Sequence, residues 1–173
     1  MGLRPARTFR DAEKVAWARF SRRTPRKSFV KSMPHNVLTI YNMGNPKGKF
    51  EVLSELVAEE KVLVRDNAIE SARQAVNKHL EKALPNAYYF RVCVFPHNVI
   101  RENKMIAGAG TDRLQSGMAH PYGRPTERGA FMKPGQTVFT VAHMAKDTGI
   151  VSEAFRRAKC KLSGKWIVNL KAA

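Results

Sequence analysis

The stretch Asn67-Ala-Ile-Glu-Ser-Ala-Arg-Gln-Ala-Val-Asn-Lys-His-Leu-Glu-Lys-Ala83 places Ile69, Ala72, Val76, Leu80 and Ala83 on one stripe at helical spacing. Asp66 or Asn67 precedes it as a cap, with Glu70 three residues after Asn67 in capping-box register, and Leu84-Pro85 ends it. A helix with one apolar stripe must lay it on something, and the flanking segments supply a sheet. Upstream, His35–Asn42 reads as a strand with Leu38 and Ile40 on one face, closed by Gly44-Asn45-Pro46; Phe50–Val57 and the short Val62–Val64 follow. Downstream, Ala87–Phe95 is a strand that Pro96 closes, and Thr137–Ala142 is another. Asp147 caps a second helix that buries Ile150, Val151, Ala154, Phe155, Ala158 and Leu162, and Lys165–Leu170 makes a last strand. The assembly these elements predict is α+β, with two helices packed on a mixed or antiparallel sheet.

Charge divides the chain differently. The 173 residues carry a net charge of +17, which predicts an acidic partner. Residues 1–31 hold ten Lys and Arg against two acids, residues 32–100 eight against seven, and residues 101–173 thirteen against five. In the first segment Arg19, Arg22, Arg23, Arg26 and Lys27 alternate with Phe9, Trp17 and Phe20, while Pro5 and Pro25 interrupt any helix. Such a segment cannot bury an apolar face and is expected to be disordered when alone. Arginine forks suit phosphate and aromatic rings suit bases, so residues 1–34 read as a basic RNA-binding extension on a single α+β domain, residues 35–173. On the second helix Arg156, Arg157, Lys159 and Lys161 make a basic face with only Glu153 close by, a second surface for phosphate.

Between Ile106 and Gly135 the chain holds more than half of its eleven glycines and shows no sustained periodicity, which predicts a long functional loop within the domain. Gly108-Ala-Gly110 lacks the third glycine of a dinucleotide fingerprint, Arg113 standing there, and no phosphate-loop pattern occurs. His35, His79, His97, His120 and His143 are scattered singly, outside any zinc signature, so neither a metal nor another cofactor is expected. Asp112 and His120 could meet in the loop as an acid/base pair, yet no motif places a nucleophile, and the chain is not expected to be an enzyme. Cys93 and Cys160 are read as reduced, buried thiols. No apolar run approaches membrane-spanning length and Met1–Arg7 lacks the core of a secretory signal, so a soluble intracellular protein without a membrane partner is expected.

Six segments together resemble a known family: Met1-Gly-Leu-Arg-Pro-Ala-Arg7, Ile40-Tyr-Asn-Met-Gly-Asn45, Asn67-Ala-Ile-Glu-Ser-Ala-Arg73, Arg91-Val-Cys-Val-Phe-Pro-His-Asn-Val-Ile-Arg-Glu-Asn-Lys-Met105, Ala109-Gly-Thr-Asp-Arg-Leu-Gln-Ser-Gly-Met118 and Glu153-Ala-Phe-Arg-Arg-Ala-Lys159. They are similar to the universal large-subunit ribosomal protein called L-ten-e in archaea and eukaryotes and L-sixteen in bacteria, and Arg101–Met118 favours the archaeal or eukaryotic branch. The resemblance implies an α/β-hammerhead that binds large-subunit rRNA near the aminoacyl-tRNA site and helps position tRNA, with its central loop pointing toward the peptidyl transferase centre. It implies tRNA, neighbouring ribosomal proteins and 5S rRNA as further partners, and the cytoplasmic ribosome as the location. By position Arg4, Arg7 and Arg10 match the family's basic N-terminus, and Arg101, Lys104, Arg113 and Gln115 match its loop. Where the family has a basic residue after the Gly-Met pair, Ala119 and His120 stand here, with Arg124 and Arg128 following as the loop's later cations. The competing readings are a free RNA- or DNA-binding regulator and an RNA-processing enzyme.

Overall fold

A computed structural model describes residues 24, 26, 30–103, 108–109 and 123–172. The chain divides into two compact units, one comprising residues up to Asn36 with His97–Gly129, the other Val37–Pro96 with Ala130–Ala173.

The second unit holds a five-stranded antiparallel sheet. Its strands are β1 (Asn42–Gly44), β2 (Val52–Ala58), β4 (Tyr89–Val92), β7 (Thr137–His143) and β8 (Trp166–Ala172), in the order β1-β4-β7-β2-β8. Register pairs Phe90 with Val141 and Leu56 with both Phe139 and Val168. The central strands therefore bring their largest apolar residues onto shared rows. A short β3 (Val62–Arg65) leads into α1 (Asp66–Ala83), and α2 (Thr148–Lys159) follows β7 after one tight turn. Ile69, Ala72, Val76 and Leu80 of α1 and Val151, Ala154, Phe155 and Ala158 of α2 join Leu56, Phe90, Phe139 and Val141 in one buried cluster. The α+β reading and both helices stand as the periodicity predicts.

Turn chemistry fixes the strand ends. Between β6 (Arg124–Met132), which runs on into this unit, and β7, Pro134 and Gly135 occupy the centre of a four-residue turn, closed by Gln136 N–H donating to the Lys133 carbonyl at 3.1 Å. Gly135 has φ of +81°, the left-handed value that the third position of such a turn requires. At Gly44, φ is +82° and a Cβ would stand well inside contact distance of the Tyr88 carbonyl, which already accepts the Asn45 N–H at 2.9 Å.

Several expectations need correction. The strand expected over His35–Asn42 is instead β1, three residues beginning at Asn42; Leu38 is fully buried whereas Ile40 is 48% exposed, so the two do not share a face. The capping box does not form: Arg65 is the cap position of α1, and Asp66 lies in the first turn. The Asp66 carboxylate accepts N–H groups from Asn67 at 2.9 Å and Val37 at 3.2 Å, while Glu70 is engaged by Arg73 and Gln74. Arg73 holds the Glu70 carboxyl below its usual range. At the other end Ala83 is exposed and Leu84 takes its place in the core. Asp147 precedes α2, as expected, but makes no side-chain cap. Both cysteines are free as expected but exposed rather than buried: Cys93 falls on the outward side of an alternating stretch, and Cys160 ends α2.

The first unit shows what the periodicity could not. Inside the stretch read as a loop, Arg124–Met132 is β6, and it pairs antiparallel with β5 (Asn98–Glu102), which no alternation signals. Asn98 faces Gly129 and Glu102 faces Arg124, with a register slip between Ile100 and Arg101. Pro125, Glu127, Arg128 and Gly129 are poor strand formers, so pairing rather than propensity makes this strand. Gly123, at φ +118°, sits where a Cβ would press on the Glu102 carbonyl at 2.9 Å.

Candidate nucleic-acid interface

On α2, Glu153 stands three and four residues before Arg156 and Arg157, so a single carboxylate reaches both guanidinium groups. Arg156 donates Nε–H at 2.7 Å and Nη2–H at 2.8 Å to its two oxygens, and Arg157 donates Nε–H at 3.1 Å. The arginine side chains remain 70% and 51% exposed. These hydrogen bonds, first from Arg156 and then from Arg157, draw the Glu153 carboxyl down to about 2. Lys159 is half-buried and Lys161 exposed past the helix end, where cations complement the helix dipole. The four expected cations of this helix thus do not act alike: two are fixed in a fork, one is partly covered and one is free to the solvent side.

A folded carboxyl held at about 2 contributes its stability in full above the ordinary value of 4.5, and loses it progressively as pH falls from there through about 2. The side-chain carboxyl carbon of Glu153 is therefore expected to titrate near 2 by NMR and to return toward the ordinary value of 4.5 when Arg156 and Arg157 are both alanine. An unchanged midpoint in the double variant would remove the fork as the cause.

Across from α2, His79 of α1 is pushed down by burial first and then by the positive charge of Arg157, against an opposing pull from Glu153, with Lys82 adding the least. His79 thus lies in the field of Arg157 on α2, a proximity between helices that linear spacing does not reveal.

In the first unit, Arg101 is half-buried opposite Pro125, and Arg124 is exposed opposite Glu102. Arg128 donates Nε–H to the Pro34 carbonyl at 2.7 Å, so part of this side chain holds the segment ahead of β1. Arg26 is exposed. Arg4, Arg7, Arg10, Arg19, Arg22, Arg23, Lys27, Lys104, Arg113 and Gln115 lie outside the described residues, as do Asp112 and His120.

His143 shows what a lone histidine does here. It is fully buried, with the Met144 carbonyl 2.7 Å from Nδ1 and Ser54 Oγ 2.7 Å from Nε2. The carbonyl can only accept, so Nδ1 carries the proton, and in the neutral ring the Ser54 hydroxyl donates to Nε2. Among the described residues no group of three His, Cys, Asp or Glu is arranged to hold a metal, and no helix is long and apolar enough to cross a membrane.

Fold and side chains define a basic α+β protein that carries preformed guanidinium forks on one helix. The family described as Ribosomal protein L16p/L10e matches residues 19–169, and the chain belongs to that family. It is 40% identical to Large ribosomal subunit protein uL16 of Thermofilum pendens over 94% of this chain and 93% of that protein. It is 39% identical to the protein of the same name from Methanococcus maripaludis, covering 94% and 90% respectively. A third, from Hyperthermus butylicus, is 41% identical over 79% of this chain and 77% of its own length. These relatives are archaeal, in agreement with the branch that Arg101–Met118 favours.

Proposed function

We propose that the chain is a structural constituent of the large ribosomal subunit in the cytoplasm, holding large-subunit rRNA near the aminoacyl-tRNA site and peptidyl transferase centre and performing no chemistry itself. The observation that carries this reading is similarity along 94% of the chain to proteins named for that subunit, in a molecule of net charge +17. Phosphate repulsion where RNA helices converge is offset by such charge, and backbone contacts fix position without reading sequence. In this reading residues 1–34 form an RNA-binding extension, and residues 35–173 an α/β-hammerhead. Arg4, Arg7, Arg10, Arg19, Arg22, Arg23, Arg26 and Lys27 meet rRNA from the first segment, and Arg156, Arg157, Lys159 and Lys161 from α2. Arg101, Lys104, Arg113, Gln115, Arg124 and Arg128 serve the loop that faces tRNA. Neighbouring ribosomal proteins and 5S rRNA complete the surroundings.

Tagged protein expressed in its host is expected to sediment with large subunits in moderate salt; recovery only at the top of the gradient would favour a free regulator, and RNA cleavage by the purified protein an enzyme. Changing Arg101, Lys104 and Arg113 to alanine is expected to leave incorporation intact, since the phosphate contacts assigned to residues 1–34 and to α2 are untouched. Peptide-bond formation on those subunits should slow, because misplacing reacting ends by about 1 Å costs on the order of a hundredfold. Full occupancy with unchanged rates would reduce the loop to filling.

A further inference from the structure

A guanidinium has two edges able to grip an oxygen pair, one formed by Nε and Nη2 and the other by Nη1 and Nη2. Glu153 takes the Nε side of both arginines: Nε and Nη2 of Arg156, and Nε of Arg157. The Nη1/Nη2 edge of each is left over, on side chains that are more than half exposed. Resting on the reading of α2 as an RNA-facing surface, we propose that Glu153 is a positioning residue for RNA, orienting Arg156 and Arg157 so that their two remaining edges meet the phosphodiester backbone of one strand. Exposed ion pairs contribute little to fold stability, so the effect of the fork falls on what the arginines do at the surface. Long side chains lose rotamer freedom when they engage a partner, and two that are already ordered lose less. The carboxylate stays ionised throughout the working range of pH, which keeps the fork closed.

Charge and geometry make opposite forecasts for Glu153→Gln, which allows a clean test. Removing a negative charge beside phosphate should tighten binding if only counterion release matters. Loss of orientation should weaken it, on the order of three- to tenfold for two side chains that must be ordered afresh. Binding of the full-length chain to transcribed large-subunit RNA, measured by filter retention across a potassium series, decides between them. The same substitution placed on Arg156→Ala/Arg157→Ala is expected to have no further weakening effect. Thermal unfolding of each variant is expected to match the parent, and Glu153→Ala gives a second loss of the acceptor if the glutamine retains one hydrogen bond. Binding by Glu153→Gln and Glu153→Ala that equals or exceeds the parent, with the double arginine variant weakened, would overturn the positioning role while leaving α2 as an RNA surface. Parental affinity in the double arginine variant would overturn the α2 reading itself, and the proposal with it.

Discussion

Alanine at Arg22, Arg23, Arg26 and Lys27 together is expected to reduce the slope of log affinity against log salt by about three, since each phosphate contact contributes roughly 0.7 to 0.9. A slope change of that size makes the loss of affinity between 50 and 200 mM salt roughly sixtyfold smaller than in the parent, and the absolute affinity at low salt falls with it. The cause is concentration of charge: residues 1–31 hold ten of the cations and only two acids, whereas the middle of the chain is almost neutral. Titrating labelled large-subunit RNA with parent and variant over that salt range measures it. Parallel salt lines for the two proteins would mean that these four side chains make no phosphate contact in the complex.

Phe139→Ala is expected to destabilise the second unit by about 3–5 kcal/mol, the range for emptying a fully buried aromatic site. Phe139 is fully buried on the central β7 and meets Phe90 of the neighbouring strand edge to face, with ring centroids 5.3 Å apart. Both neighbours in the sheet and the helices above are fixed by their own registers, so the space cannot close without cost. In a chain of this size the midpoint of thermal unfolding should fall by roughly 10 °C. Ile40→Ala, at a side chain 48% exposed, is expected to change stability by no more than about 0.5 kcal/mol and serves as the comparison. A loss at Phe139 no larger than that at Ile40 would show that the cluster repacks freely.

The parts of the fold that local sequence reveals are those whose residues face one environment. Ile69, Ala72, Val76 and Leu80 all face the core, so α1 is legible from spacing, and the same holds for Val151, Ala154, Phe155 and Ala158 of α2. β6 is not legible, because its Arg124, Pro125, Glu127 and Arg128 take their strand geometry from β5 rather than from burial of alternate residues. The failed capping box has a similar origin: Asp66 answers to Val37, 29 residues earlier, a contact with no trace in the local pattern. On the candidate interface, cationic residues are visible as composition, and the Glu153 fork is implicit in the spacing of three and four residues to Arg156 and Arg157. Arg128 looks like any other exposed cation in the sequence; only its 2.7 Å bond to the Pro34 carbonyl shows a tether.

The pairing of Glu102 with Arg124 fixes a doorway: the backbone departs and returns at directly opposed positions of one ladder, with Gly123 permitting the close approach. Loop closure between two fixed strand ends costs only about 0.6 kcal/mol more for each doubling of the connection's length. Insertions between 103 and 123 should therefore be absorbed without disturbing the strands that hold them, and a foreign peptide spliced there would be carried by the same two anchors. Length can change here without cost to the register beneath it, but not without moving the cations that the proposed function aims at tRNA.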